Sequence, residues 1–318
     1  MTKIFEEYIP IDYSQMRSND FLSRMNQSNL SAIDRVEKGH GFKIVQACNF
    51  CGSSKSKLYL HKNTIDIVEC TKCGLIYSSV VPKNFNDLYS DEEYLSTAIE
   101  MYEKNSTFRK QRFGVERLNI IKKLKQSGTL LDIGCGIGWF LEVAKDNFDV
   151  AGVEISDSLR NYLKEKKGIP SYKTLNFVDD NSADVVTGFD LIEHVSDPYE
   201  LLNTIYRILK PKGICLLYTP NVDSISFKLL KEKNSLLCPP EHLYYFNKST
   251  LTKYAKKSCF EILNIWTKGI DVGDMYAMEL NSRNERIAEY LSENQNWMQH
   301  SIDEAGFGNH MRILLKKN

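Results

Sequence analysis

The sequence predicts an α/β protein, in which a doubly wound parallel sheet follows a small β-rich module. From residue 128 onward, short apolar runs alternate with amphipathic stretches of helical length. That alternation is typical of strands and helices in a parallel sheet. Between residues 41 and 80, short apolar runs alternate with cysteine-containing turns instead. The second pattern favours a compact unit built from short strands.

Seven strands and the helices between them can be assigned in the larger part. The expected strands are TLLDIG, DVAGVEI, SYKTL, ADVVTGFD, GICLLYTP, FEILNIWTKG and HMRILLKK. The expected helices are GWFLEVAKDN, DSLRNYLKEKKG, DPYELLNTIYRILK and STLTKYAKKS. Residues 221–246 interrupt the alternation and predict an irregular excursion after the fifth strand, near the edge where open α/β sheets bind ligands.

Two helical stretches precede the sheet. The first lies within residues 1–40, and its apolar positions are Phe21, Leu22, Met25, Ile33 and Val36. The second covers about 106–126, and its apolar positions are Phe108, Phe113, Leu118, Ile121 and Leu124. We therefore divide the chain into a helical segment (1–40), the β-rich module (41–80), a connector with a helix (81–127) and the sheet domain (128–318). The connector carries three tyrosines, Tyr89, Tyr94 and Tyr102.

The bulk composition excludes some classes of protein. Hydrophobic residues make up 42% of the 318 residues, which is enough for a sizeable core and argues against wholesale disorder. Basic and acidic residues balance at 41 each, so no general attraction to nucleic acid or to an acidic membrane is expected. Neither a signal peptide nor an apolar span of about 18 residues is present. A cytoplasmic protein without a membrane segment is the expectation, and its oligomeric state is left open.

Four of the eight cysteines form two CxxC pairs separated by eighteen residues. The pairs are Cys48 with Cys51 and Cys70 with Cys73, and a glycine, Gly52 or Gly74, follows each pair. Two such knuckles place four thiolates tetrahedrally around Zn²⁺. Because four cysteines complete the shell, a structural zinc ion is predicted. A redox dithiol and an iron–sulfur cluster are the alternatives.

The remaining cysteines and the histidine between the knuckles are interpreted more simply. His61 is expected at the surface, since the four cysteines already suffice as ligands. The other cysteines are scattered among apolar segments and are expected to be small core residues. They are Cys135, Cys215, Cys238 and Cys259.

A glycine-rich turn follows the first strand of the sheet domain. Asp132 is followed by glycines at every second position, Gly134, Gly136 and Gly138, and Glu154 ends the next strand. Glycines let a ligand approach the backbone closely, and a carboxylate after the second strand can accept both hydroxyls of a ribose. This pattern alone is also compatible with a dinucleotide site or with a tight turn.

The spacing favours a cofactor without phosphate. Dinucleotide sites use GxGxxG to direct a helix terminus at a pyrophosphate, whereas here the glycines alternate after an acid. S-adenosylmethionine has no phosphate, and its ammonium group needs an acceptor such as Asp132. The successive segments LLDIGCGIGWF, VAGVEIS, DVVTGFDLIEHVSDP and RILKPKGICLLYTPN resemble the class I S-adenosylmethionine-dependent methyltransferases, over about residues 105–318.

This resemblance implies a Rossmann-like, seven-stranded sheet and a set of cofactor contacts. The three glycines would line the methionine and ribose portions, and Glu154 would hold the ribose. Ile155 would flank the adenine, while Phe189 and Asp190 would close over the methionine side. The polar contact that the family often makes with the adenine has three candidates here, Asn176, Asp179 and Asp180.

The cysteine segment carries a second resemblance. Over about residues 45–95, CTKCGLIYSSVVPKNFNDLYSDEEY resembles the N-terminal zinc module of many bacterial methyltransferases of sugar and natural-product pathways. This implies a module that contacts the substrate or helps assembly.

Two histidines qualify as the base that an alcohol acceptor needs. We favour His242, in the segment PPEHLYYF, because the excursion should cover the acceptor site and the segment resembles HxxxF in related enzymes. His194, in DLIEHV, is the second candidate, although a structural or capping role fits it too. Asn221, Tyr244 and Tyr245 are candidate acceptor contacts, and both tyrosines could instead pack inside the excursion.

The leading functional hypothesis is methyl transfer to a small molecule, most readily a hydroxyl of a sugar or nucleotide-linked sugar. An RNA methyltransferase that grips RNA with the zinc module is the main alternative, although the knuckle region is only mildly basic. A non-catalytic cofactor-binding protein and an NAD-dependent oxidoreductase are less compatible with the glycine turn. The segment SISFKLLKEKNSLL in the excursion could be a lid helix or an ordinary packing helix.

Overall fold

The structure is a computed structural model that describes residues 21–88, 99 and 106–318. Within these residues, no helix is long and apolar enough to cross a membrane. The connector tyrosines Tyr89, Tyr94 and Tyr102 lie outside the described residues.

The N-terminal part consists of one helix and a small antiparallel module. Helix α1 spans Phe21–Lys38, and it buries Ile33 and Val36 while Met25 is half-buried. The side chains of Phe21 and Leu22 lie outside the described set. The module contains β1 Phe42–Ile44, β2 Ser56–Lys62, β3 Ile65–Cys70, β4 Ile76–Ser78 and β5 Val80–Pro82. Strand β1 pairs with β5, and β2, β3 and β4 form an antiparallel sheet, so this segment is β-rich as expected.

The large sheet contains all seven expected strands. They are β6 Thr129–Ile133, β7 Asp149–Val153, β8 Ser171–Tyr172, β9 Ala183–Phe189, β10 Leu209–Pro220, β12 Glu261–Thr267 and β13 His310–Lys316. Their spatial order is β12-β13-β10-β9-β6-β7-β8. Strand β13 runs antiparallel to both of its neighbours, so the sheet is mixed rather than wholly parallel.

Helices connect the strands of this sheet. Helix α2 comprises three consecutive helical stretches, Ser106–Arg109, Lys110–Gly114 and Val115–Lys122. The others are α3 Trp139–Ala144, α4 Asp157–Tyr162, α5 Pro198–Ile208, α6 Ile225–Leu230, α7 Lys248–Lys257, α8 Asp271–Asn281 and α9 Glu285–Glu304. Helices α8 and α9 were not predicted. They follow β12 and precede β13 in the chain, and they pack against each other.

Two details of the predicted helices need correction. Helix α2 ends at Lys122, not near residue 126, and Leu124 is 41% exposed because it lies in the turn that leads into β6. Helix α6, in the excursion, buries Phe227 and Leu230 and contacts α8. In this structure α6 is therefore a packing helix.

The excursion also joins the two parts of the protein. Its short strand β11, Tyr244–Tyr245, pairs antiparallel with β4, so that Tyr244 faces Tyr77. The module therefore has a four-stranded sheet whose edge strand comes from the sheet domain. Cys48 and Cys70 belong to the same buried cluster as Leu131 in the large sheet. The module and the sheet domain therefore share one core.

Candidate active site

The glycine turn has the geometry that a closely bound ligand needs. Gly134, Gly136 and Gly138 have φ angles of 68°, 53° and 74°, which L side chains rarely adopt. A Cβ atom added to Gly136 would meet no protein atom within 4 Å. The backbone at this position therefore faces open space at the carboxyl end of β6, where α/β sheets bind ligands.

Glu154 lies directly opposite this turn. Its side chain is 4% exposed, and its carboxylate accepts hydrogen bonds from the backbone N–H groups of Gly136 and Ser156, both at 3.0 Å. Burial raises the pKa of this carboxyl group, and the two N–H donors oppose that rise. The next residue, Ile155, is 63% exposed, which suits a side chain that flanks a flat ring.

Two opposite charges are buried beside the turn. Asp132 accepts a hydrogen bond of 2.6 Å from Thr187 Oγ1, and burial raises its pKa to about 7 against the effects of Thr187 and Arg117. The guanidinium of Arg117 lies 3.9 Å from the centre of the Phe189 ring. Its Nε and one Nη have no hydrogen-bond partner in the described part of the chain. This pair can bind an amino acid zwitterion, with the ammonium at Asp132 and the carboxylate at Arg117.

Arg117 was not identified from the sequence, although a signal was present. It lies four residues after Phe113 and four before Ile121, within the apolar face assigned to α2. A charged residue on an apolar face must be buried or must interrupt the packing, and here it is 8% exposed. A charged residue at a core position of a predicted helix is therefore a candidate site residue.

We expect Arg117→Met to weaken binding of S-adenosylhomocysteine by about 10- to 100-fold, because a buried charge-assisted hydrogen bond contributes roughly 1.5–3 kcal/mol. The melting temperature should fall, since removal of Arg117 leaves the buried Asp132 without an opposite charge. Calorimetry and thermal unfolding measure the two effects. Arg286→Met, at an exposed position of α9, is the matched control. Unchanged affinity of Arg117→Met for S-adenosylhomocysteine would show that Arg117 does not bind the cofactor.

Asp190 lies near Arg117, on the same side of the turn. It follows β9 with a φ of 54°, an uncommon conformation for a residue other than glycine. His310 Nε2 lies 3.5 Å from one of its carboxylate oxygens. Phe189 packs edge-on against Phe140 and Tyr218, at centroid distances of 5.0 and 4.9 Å. Both residues predicted to close over the cofactor are therefore at the strand end.

The expected adenine contacts after β8 are less well supported by their surroundings. Asp180 pairs with Arg207 of α5, and the backbone carbonyl of Asp179 accepts a hydrogen bond from Ser182. Asn176 lies near Arg207 as well. A contact between any of the three and an adenine ring stays a prediction.

The two candidate bases lie together near the ends of β9 and β10. The imidazole rings of His194 and His242 are 4.5 Å apart in an edge-to-face arrangement. The backbone carbonyl of Glu193 accepts a hydrogen bond of 2.8 Å from the N–H of Leu243, which fixes the excursion against the β9 loop. The excursion is held from the other side by Asn29 of α1, whose amide donates to the carbonyl of Pro239 at 2.6 Å.

Hydrogen bonds fix the tautomer of both histidines. His242 Nδ1 lies 2.8 Å from the carbonyl oxygen of Leu236, and His194 Nδ1 lies 2.9 Å from that of Glu241. Because a carbonyl only accepts, Nδ1 carries the proton and Nε2 keeps its lone pair. Burial lowers the pKa of both rings, and the neighbouring His194 lowers that of His242 further. Both imidazoles are therefore neutral, with Nε2 available as a base or as a metal ligand.

The predicted acceptor contacts differ in their surroundings. Asn221 donates to the carbonyl of Gly308 at 3.0 Å, and Tyr244 donates to the carbonyl of Ser196 at 2.9 Å, so both have structural partners. Tyr245 packs beside His242 at 6.3 Å between ring centres. Its hydroxyl has no hydrogen-bond partner among the described residues. Contact of these three residues with an acceptor stays a prediction.

The four CxxC cysteines converge as a metal site requires. Their sulfur atoms lie within 4.8 Å of one another, and the Cys48–Cys73 and Cys51–Cys70 pairs are 3.5 Å apart. In a tetrahedral zinc site with bonds of about 2.3 Å, sulfur atoms lie about 3.8 Å apart. The donor set and spacing therefore fit a zinc ion.

The surroundings of the cysteines support the same fit. In each knuckle the glycine N–H donates to the carbonyl of the first cysteine at 2.9 Å. Burial raises the pKa of Cys70, but backbone N–H groups of Cys73 and Lys72 and the neighbouring thiols lower it, to about 7. His61 is exposed and pairs with Asp66, so it takes no part in the cluster, as expected.

Comparison with known proteins finds a family match in this part of the chain. A family model described as a methyltransferase domain matches residues 106–265, which is half of the chain. The chain is 32% identical over 156 residues to phosphoethanolamine N-methyltransferase 2 of Caenorhabditis elegans, covering 42% of this chain but only 34% of that protein. It is 27% identical over 165 residues to a ubiquinone biosynthesis O-methyltransferase of Coxiella burnetii, covering 46% of this chain and 70% of that protein.

Solved structures are similar at lower identity. Phosphoethanolamine N-methyltransferase 2 of Haemonchus contortus, in complex with S-adenosyl-L-methionine, is 20% identical with a TM-score of 0.45. The similarity covers 96% of this chain and 75% of that chain.

Proposed function

This chain belongs to the class I S-adenosylmethionine-dependent methyltransferases, and we propose that it methylates a hydroxyl group of a small, sugar-containing molecule. The observation that carries the proposal is the pair of neutral imidazoles at the ends of β9 and β10. Each has its Nδ1 proton held by a backbone carbonyl and its Nε2 lone pair available.

The cofactor fits the residues around the glycine turn. The amino acid end of S-adenosylmethionine matches the Asp132–Arg117 pair, and Glu154 matches the ribose hydroxyls. The exposed Ile155 would lie against the adenine. When bound, the cofactor supplies an activated methyl group on sulfur, so that the protein mainly has to align the acceptor and remove its proton.

The need for a base favours oxygen over nitrogen as the acceptor atom. A neutral amine attacks the methyl group without prior loss of a proton, whereas an alcohol gains about 10²–10⁴-fold from a positioned base. His242 Nε2 is our candidate for this base and His194 Nε2 is the second. Two buried imidazoles with fixed tautomers and available Nε2 lone pairs suit an acceptor that must lose a proton.

The zinc module supports a small acceptor rather than RNA. We propose that its four cysteines bind a structural zinc ion. One side of the knuckles packs against α7, since the rings of Phe50 and Tyr254 are 4.6 Å apart and Lys253 donates to the carbonyl of Cys73 at 2.8 Å. That side is therefore engaged within the protein. The resemblance to modules of sugar-modifying enzymes supports the sugar part of the proposal.

Two measurements test the proposed function. Calorimetry should show binding of S-adenosylhomocysteine and no binding of NAD. Transfer of a radiolabelled methyl group should then be assayed against nucleotide-linked sugars, phosphoethanolamine and transfer RNA. Incorporation into the sugars is the expected result. Incorporation into phosphoethanolamine or RNA, with none into sugars, would contradict the proposal.

A further inference from the structure

Glu193 brings a buried carboxylate to the two histidines. Its side chain is 0% exposed, and one carboxylate oxygen accepts a hydrogen bond of 2.9 Å from Thr219 Oγ1. The other oxygen, Oε1, has no hydrogen-bond partner in the described ranges. One ligand atom from each of Glu193, His194 and His242 lies within 4.8 Å of the other two. Three potential electron-pair donors are thus collected at one site, in which Glu193 and His242 are buried and His194 is half-buried.

Burial raises the pKa of Glu193, and the three groups face one another as acceptors, so that a proton or a metal ion must lie among them to offset the repulsion of their lone pairs. Both Nδ1 protons are already donated to backbone carbonyls, so neither neutral ring has a proton left for Glu193. A buried carboxylate oxygen without a partner is costly, and a buried charge is normally paired or bound to a metal. A single proton could join only two of the three donors, whereas a metal ion can join all three.

We propose that Glu193, His194 and His242 together bind one divalent transition-metal ion, separate from the four-cysteine site. Two imidazole Nε2 atoms and one carboxylate are a common ligand set for such ions, and they leave coordination positions open. The Nδ1 bonds to carbonyls and the Thr219 bond to Glu193 are the supporting contacts that orient ligands in metal sites. With bonds of about 2.1 Å, ligand atoms in a tetrahedral site lie about 3.4 Å apart, so small side-chain rotations close the site.

The ion would act on the acceptor, and this consequence alone rests on the proposed function. The acceptor hydroxyl binds the ion through oxygen and loses its proton to solvent, because a bound cation makes such a group more acidic. The resulting alkoxide attacks the methyl carbon as the carbon–sulfur bond breaks, and neutral S-adenosylhomocysteine leaves. His242 then assists deprotonation as a metal ligand instead of accepting the proton itself.

Manganese binding tests the site without any turnover. The protein is first loaded with one equivalent of zinc per chain, which the four thiolates take preferentially, and excess zinc is removed. Mn²⁺, which binds through oxygen and nitrogen ligands, is then titrated while the free Mn²⁺ signal is followed by electron paramagnetic resonance. We expect one bound Mn²⁺ per chain. His194→Ala, His242→Ala and Glu193→Gln should each weaken binding by about 100-fold or more, since even loss of an outer contact costs 10–100-fold.

His300→Ala, at an exposed position of α9, is the matched control and should bind Mn²⁺ like the wild type. A wild-type protein that leaves the free Mn²⁺ signal unchanged would overturn the metal site, even if no variant could be purified. So would equal Mn²⁺ affinity in variants that still bind S-adenosylhomocysteine. If methyl transfer to a sugar persists after chelation and Mn²⁺ does not bind, the metal-site proposal is wrong and the proposed function still holds. If Mn²⁺ binds but no hydroxyl is methylated, the metal site is supported and the proposed function is wrong.

Discussion

His242→Ala is expected to lower kcat by about 10²–10⁴-fold, the contribution of a positioned proton acceptor. The loss should be of this size whether Nε2 takes the proton itself or acts through a bound ion. Cofactor affinity should not change, because His242 belongs to the excursion and contacts neither Asp132 nor Glu154 among the described interactions. Single-turnover methyl transfer and calorimetry with S-adenosylhomocysteine measure the two quantities separately.

The control for this variant is His300→Ala, which removes an exposed imidazole. His194→Ala provides a second comparison. If His242 is the only base, His194→Ala should have the smaller effect, whereas two metal ligands should be equally sensitive. Full activity in His242→Ala would move the proton acceptor elsewhere.

Loss of a zinc ligand should lower methyl transfer as strongly, although the cysteines lie in the module and not beside the two histidines. We expect Cys51→Ser to reduce bound zinc from about one ion per chain to nearly none and to abolish methyl transfer. Structural zinc contributes about 10–16 kcal/mol of binding free energy, which a module of this size cannot replace by packing. Without the module, β4 no longer pairs with Tyr244–Tyr245, and the neighbouring His242 loses its support.

Cofactor binding should be weakened less than methyl transfer, because the glycine turn and Glu154 follow strands of the sheet domain, which has a second core that includes Leu130, Phe140 and Leu216. Metal analysis, methyl transfer and calorimetry are the measurements. Cys259 was expected in the core but is exposed, unlike the buried Cys135, Cys215 and Cys238, so Cys259→Ser changes no packing and should behave like the wild type. Retention of zinc and activity in Cys51→Ser would show that the four-cysteine assignment is wrong.

The sequence predicted most of the large sheet because its signals are local. Each strand is a short apolar run, and the glycine turn and Glu154 each follow one of these strands directly. The same is true within each cysteine knuckle, and the hairpin of β2 and β3 brings the two knuckles together. Such features depend on neighbours within a few residues, and the sequence shows those neighbours directly.

Features that depend on distant partners were not predicted. Glu193 was passed over because it lies beside His242, which is 49 positions later in the chain. Arg117 was missed because the aromatic rings that its guanidinium contacts, Phe189 and Tyr218, belong to the distant strands β9 and β10. The pairing of β11 with β4 joins segments more than 160 residues apart, and two-residue strands leave no periodic pattern.

That pairing has a consequence for how the protein can be made and divided. During synthesis the module emerges long before Tyr244 and Tyr245, so β4 stays an open sheet edge until the excursion has left the ribosome. An open edge with apolar neighbours is a template for intermolecular association. The cysteine module therefore completes its sheet late in synthesis, although it lies early in the chain. Cleavage of the chain anywhere between β4 and β11 leaves one fragment with an unpaired edge strand.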